Sequence, residues 1–225
     1  MSARSPFWPL VAAATTLIVV HGFGRFIYTP LIPLLVSDGL LTLQQAAQLA
    51  TWNYVGYLAG AMVALFAYQS GWGRSALLTG VLGNAVITLL QVGGDYFPYM
   101  AGLRLFNGIT NGIVFVLAPA LVLEWLAVRQ ATALSGLVYL GLGGGMLLCG
   151  ALVVLTPWQG PLRWLPIALV GWALLILLPR REGVLTAVLY GAIGLLCACY
   201  LVMLVSLVGN LVDPMPAAGA PPAPD

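Results

Sequence analysis

The chain is predicted to be all-α and to cross a membrane several times. Three observations predict it. Of 225 residues, 61% are hydrophobic and only 6% charged, with a mean hydropathy of +1.02, more apolar surface than a soluble domain can use. The apolar residues gather into seven runs, each near the ~20 residues that cross a bilayer's hydrocarbon core. The links between the runs are short and carry turn residues, which makes consecutive helices antiparallel neighbours.

The first run, 8–36, far exceeds the ~7–15 residue core of a signal peptide. No small-residue cleavage site follows a short core, so this run reads as a retained first span. Later spans are expected at 43–68, 75–92, 97–126, 131–155, 162–178 and 184–211. SDG near Asp38, SGWG at 70–73, GGDYFP at 93–98 and TPWQGP at 156–161 supply the turns. The expected organisation is a six-helix membrane domain at 1–182, an additional transmembrane helix at 183–212 and a tail at 213–225. That tail, DPMPAAGAPPAPD, has nothing to bury and is expected to be disordered. Trp8, Trp72, Trp158 and Trp164 sit near span ends and read as interfacial anchors.

Charge orients the spans. Arg4, Arg74, Arg129, Arg180 and Arg181 fall on one side; Asp38, Asp95 and Asp213 fall on the other, with only Arg163. Arginine excess marks the cytoplasmic face. A multi-pass protein of the bacterial inner (cytoplasmic) membrane is expected, with its N-terminus inside and its C-terminus outside. The net charge of +2, without a Lys/Arg cluster, argues against a nucleic-acid partner. Cys149, Cys197 and Cys199 lie in apolar runs, form no CxxC pair and read as small buried hydrophobes. With one histidine, neither a bis-His haem site nor a His-rich metal site can be built, so no cofactor or metal is expected. No nucleophile–base–acid set can be assembled either, which argues against an enzyme.

Two arginines break the apolar pattern. Arg25 lies in VHGFGRFIYTPLIPLLV and Arg104 in YMAGLRLFNGITNGIVFVLAPALVL. A guanidinium stays charged and is costly in hydrocarbon, so each is expected to face a protein interior or a wet cavity. His21, Arg25 and Tyr28 recur at i, i+4, i+7 and would share one helix face; Arg104, Asn107 and Asn111 form a second stripe, and Asn53 with Tyr57 a smaller one. At ~1.5 Å per residue, Arg25 lies about 15–18 Å and Arg104 about 10–13 Å from the outer ends of their helices. No carboxylate is near either; Glu124 lies about 30 Å along the axis from Arg104. Unpaired cations favour an anionic ligand, which would supply the missing partner. His21 reads as a neutral histidine making one hydrogen bond. Gly141 and Gly145, in a glycine-rich stretch, form a small-xxx-small pair for close helix packing.

HGFGRFIYTPLIPLL followed by LTLQQAAQLATWNYVGYLAGAM resembles the opening two helices of YbfB/YjiJ-type transporters of the major facilitator superfamily (MFS). RLFNGITNG at 104–112 is similar to the superfamily's fourth-helix Arg-x-x-x-Gly motif, and SGLVYLGLGGGMLLCG to its glycine-rich fifth helix. The resemblance covers roughly residues 8–180. The link between helices two and three departs from the pattern, with no acid ahead of Gly73 and Arg74. The likeness implies an MFS-like six-helix half-bundle built as a 3+3 inverted repeat, here with a seventh helix added. It also implies a fourth-helix arginine that bonds backbone carbonyls in glycine gaps, which competes with a ligand role for Arg104.

The expected function is a half-size transporter component that needs a second membrane chain, as a homodimer or a hetero-complex, to form a pathway for a small anionic solute. His21, Arg25, Tyr28, Asn53, Tyr57, Arg104, Asn107 and Asn111 are its candidate substrate-binding residues. The competing expectation is a non-transporting scaffold or accessory subunit of a larger membrane complex. A lone bundle is expected to need another chain to cover its polar stripes.

Overall fold

The computed structural model describes residues 7–94, 96–155 and 160–177. The chain divides into two units at Pro179; the second unit, with the expected seventh span and tail, lies outside the described residues. All the described elements are helical. Five helices are long and apolar enough to cross a membrane: Pro9–Ser37, Leu43–Gln69, Gly73–Gly93, Phe97–Ala127 and Thr132–Val153. A shorter apolar helix follows at Trp164–Leu174. These limits fall within a few residues of the sequence expectation. The fourth, at 31 residues, is longer than the ~20 a bilayer core requires and must tilt or project beyond it.

The first span is not one uniform helix. It runs as α1 (Phe7–Leu17), a π-helical segment (Ile18–Phe26) and α2 (Tyr28–Ser37). The wider turn is closed by Ile27 N–H donating to the Gly22 carbonyl at 3.0 Å, five residues back. Turn chemistry fixes the next links. Gly39 and Gly71 adopt φ of +73° and +78°, the left-handed conformation glycine takes most readily. Leu40 and Trp72 then donate back to the Leu35 and Ala67 carbonyls, ending both helices in six-to-one caps. Thr42 opens α3 (Leu43–Gln69) with a reciprocal capping box to Gln45. The remaining helices are α4 (Gly73–Leu90), α5 (Phe97–Ala127), α6 (Leu140–Leu155) after a 3₁₀ turn at Thr132–Tyr139, and α7 (Trp164–Leu177).

The bundle is built on glycine. GYLAG at 56–60 of α3 meets GITNG at 108–112 of α5, each a pair of glycines four residues apart. A Cβ at Gly56 would strike the Leu105 carbonyl, at Gly60 that of Ile109, at Gly108 that of Asn53 and at Gly112 that of Tyr57. The paired numbers rise together, so the helices run parallel with backbones in contact, the packing small-xxx-small faces permit. The pair singled out in the fifth span does the same: Gly141 meets the Ala14 carbonyl, and Gly145 lies against Ile18 and Gly22. Below this seam Leu10, Ala13, Leu17, Leu126 and Val138 form an apolar cluster. One expectation fails here. Trp164 is buried, with its ring stacked 6.5 Å from that of Tyr28, so it fills the interior rather than anchoring in the interface; Trp72 is 74% exposed, as an anchor should be.

Glycine substitutions should therefore separate by position. Gly56→Ala or Gly108→Ala should cost about 1–3 kcal/mol by overpacking against a backbone carbonyl. Gly102→Ala, where an added methyl meets nothing within 4 Å, should be neutral or stabilise by about 0.5–1 kcal/mol through helix propensity. Thermal unfolding of the purified variants reads the difference; equal losses at all three positions would contradict the packing.

Candidate functional site

The parallel contact of α3 and α5 brings together a buried polar layer. Asn53 donates through Nδ2 to the Arg104 carbonyl and to Asn107 Oδ1, both at 3.1 Å. Asn111 Nδ2 donates to Asn107 Oδ1 at 2.8 Å and to the Asn107 carbonyl at 2.7 Å. Arg104 reaches from α5 to the first span, where Nη1 donates to the Gly24 carbonyl at 3.3 Å and the guanidinium lies 4.2 Å from the centre of the Tyr28 ring. Tyr28 in turn donates its hydroxyl to the Ala46 carbonyl at 3.0 Å. Arg104 is 3% exposed and Asn107 and Asn111 are fully enclosed. The stripe expected to need cover from another chain is covered from within, by α3 and the first span.

Sequence reading missed part of this layer. Asn84 on α4 donates to Thr110 Oγ1 at 3.1 Å, and Thr110 donates to the Asn107 carbonyl at 2.9 Å. Gly24 has no room for a Cβ, because the Asn84 amide fills that space. Gly80, Asn84 and Thr88 recur every four residues and are all buried, a stripe of small and polar residues that was legible but not singled out.

His21 and Arg25, four residues apart in the π-helical segment, both lie against the Phe26 ring, whose centre is 6.4 Å from that of His21 and 5.9 Å from the Arg25 guanidinium. Tyr28 lies under Arg104, and His21 is buried against the Phe115 ring, centroids 4.7 Å apart. Neither imidazole nitrogen has a hydrogen-bond partner among the described residues, so the single bond expected of this histidine is not made there. Arg25 rests on rings of α3 and of its own segment. It is half-buried, with its guanidinium 4.2 Å from the Tyr57 ring centre, 5.0 Å from that of exposed Tyr54 and 5.9 Å from that of Phe26. Cation–π contact holds the charge in place. Among the described residues no acceptor engages its donors. Tyr57 also touches Phe115, ring centres 6.1 Å apart, and Phe115 lines a cavity of about 430 Å³ between the second half of α5 and the 3₁₀ turn before α6.

The described residues thus combine helices long and apolar enough to cross a membrane, glycine-mediated packing and a half-buried arginine within the first span. Residues 17–181 match the family described as "Uncharacterised MFS-type transporter YbfB". The chain belongs to this family. It is a multi-pass membrane protein of the transporter class, as its first two helices implied. No curated protein matches the chain.

In this MFS-type transporter one ion pair ties distant links together. Arg163, just before α7, bonds Asp38 at the end of α2 through two contacts, Nε to Oδ2 at 2.8 Å and Nη2 to Oδ1 at 3.1 Å. The side chains are 11% and 15% exposed. Both residues were placed on one side of the membrane by counting spans, and the contact agrees. Losing either partner should cost about 1–3 kcal/mol, between the values for exposed and for buried pairs. In a double-mutant cycle of Asp38→Asn and Arg163→Gln, the double variant should lose clearly less than the sum. Additive losses in thermal unfolding would show the two ends to be uncoupled.

Proposed function

We propose that the protein is one six-helix half of a secondary transporter for a small anionic solute, completed by a second membrane chain. Arg25 is the main counter-charge. The observation that carries this reading is its guanidinium, held against two tyrosine rings with its donors unengaged among the described residues. A carboxylate would receive a bidentate pair of charge-assisted hydrogen bonds there. Arg104 differs, because backbone and ring contacts already enclose it. Of the other candidates, Tyr57 borders the Arg25 site; Tyr28, Asn53, Asn107 and Asn111 hold the seam that positions it, and His21 packs against Phe115.

The packing supports a 3+3 inverted repeat. The second span lies on the fourth and the fifth on the first, each through a pair of glycines four residues apart. Transporters of such repeats work by rocking one bundle against another around a central site. A second copy of this chain could serve as the other half, since both halves of the superfamily begin on the same side. The closed polar layer favours a second reading, a self-contained bundle acting as an accessory subunit, because its polar stripe needs no other chain to cover it.

Binding and uptake of small carboxylates decide between the two. Arg25→Ala should weaken binding about 10–150-fold, and Arg25→Lys less, because charge remains while the fork is lost. Unchanged binding in Arg25→Ala would leave the accessory reading. Orientation follows the arginine bias, in the bacterial inner membrane. A reporter active only outside the cytoplasm should work fused after Asp225 and fail at Arg74; the reverse pattern would invert the topology.

A further inference from the structure

Two helix irregularities face one another between α5 and the turn before α6. Pro119 lies inside α5; it has no N–H, so the Phe115 carbonyl one turn earlier receives no bond from that position. Opposite it, Thr132–Tyr139 runs as a 3₁₀ helix of eight residues, longer than the ~3–4 usual for that winding. Helices pack ridge into groove only where both keep regular spacing. The volume left between them is the cavity of about 430 Å³, within the range of small-molecule sites. Along α5 its lining is apolar, with Val116, Ala120 and Leu123; the facing turn adds the hydroxyls of Ser135 and Tyr139. Leu123 and Tyr139 are 46% and 47% exposed, so the cavity opens at the helix surface. Val138, part of the buried apolar cluster, lines its inner side.

We infer that this cavity binds a neutral lipophilic molecule with one hydroxyl group, a medium-chain alcohol or a phenol. The apolar body lies along α5, and the ligand hydroxyl pairs with Ser135 and Tyr139. The rings of Tyr57 and Phe115 stand between the cavity and Arg25, so this site is separate from the anion site and does not rest on it. The lining selects the class. Among the described residues no charged side chain lines the cavity, so an ion would enter without a counter-charge, which is costly. A hydrocarbon chain would cover both hydroxyls without bonding them. A sugar would set several hydroxyls against apolar side chains.

The experiment irradiates the full-length chain in lipid nanodiscs with a diazirine analogue of octanol and locates the label by peptide mass spectrometry. Label should concentrate at 115–123 and 135–139. Excess octanol or phenol should remove it, and octanoate should not. Ser135→Ala and Tyr139→Phe should each raise the half-saturating probe concentration about 2–13-fold, the loss of one neutral hydrogen bond. Ala120→Trp, which occupies the volume, should abolish the label. Thermal unfolding checks that this variant is folded; Val116→Phe, a smaller intrusion, takes its place if it is not.

An octane diazirine that labels the same residues as strongly would make the cavity a seat for lipid tails and overturn the hydroxyl assignment. Displacement by octanoate as effective as by octanol would overturn the neutral class. Label spread evenly over the exposed helix faces, or undiminished in a folded Ala120→Trp variant, would show that the cavity is not a site. None of these outcomes bears on carboxylate binding at Arg25, which is tested separately.

Discussion

The close approach of α3 to α5 is the constraint on which the rest depends. Lipid offers no hydrophobic force to drive helices together, so contact relies on packing and interhelical hydrogen bonds. Four glycines remove the side chains that would hold the two backbones apart. Only then can Asn53 reach both the Arg104 carbonyl and the Asn107 amide oxygen. A methyl group at Gly108 would displace the Asn53 carbonyl and with it the polar layer. The same device sets α6 against the first span, where Gly145 and Gly22 meet.

This packing gives the two intramembrane arginines different duties. Arg104 is drawn inward and enclosed: Nη1 donates to the Gly24 carbonyl and the Tyr28 ring covers the guanidinium, while its buried Nε has no partner among the described residues. It ties α5 to the first span and is difficult for a solute to reach. Arg25, within the π-helical segment, rests on tyrosines of α3. A quadrupolar ring stabilises a cation without consuming its hydrogen bonds, so the charge is positioned while its donors remain available. The difference between a structural cation and a binding cation is therefore one of partners: a backbone carbonyl engages the first, ring faces hold the second.

Asp38 and Arg163 join the first span's end to the start of the sixth. Two fork contacts in a setting only 11–15% exposed give directional strength that a surface pair lacks. The pair fixes one end of the bundle while the cavity beyond Phe115 lies in the second half of α5, toward its C-terminal end. The apolar face of α3 that includes Trp52, Leu58, Met62 and Phe66 remains exposed, as a surface in contact with lipid or with a partner should be.

By itself the sequence determined the class of fold, the limits of the first five spans to within a few residues, and the presence of two cations and an asparagine stripe among apolar residues. These are local properties: a run of apolar residues partitions into a bilayer by its own composition, and turn residues mark where it ends. The glycine pair of the fifth span was legible for the same reason. The tertiary structure decided which way each polar side chain faces. His21, Arg25 and Tyr28 were expected to share a face; His21 and Arg25 meet at the Phe26 ring, while Tyr28 carries the Arg104 guanidinium and stacks beside Trp164. Asn84 joined the polar layer because Gly24 leaves it room. Trp164 left the interface for the interior beside Tyr28. Helix rotation and the distance between axes follow from contacts between residues far apart in sequence, and no local periodicity encodes them.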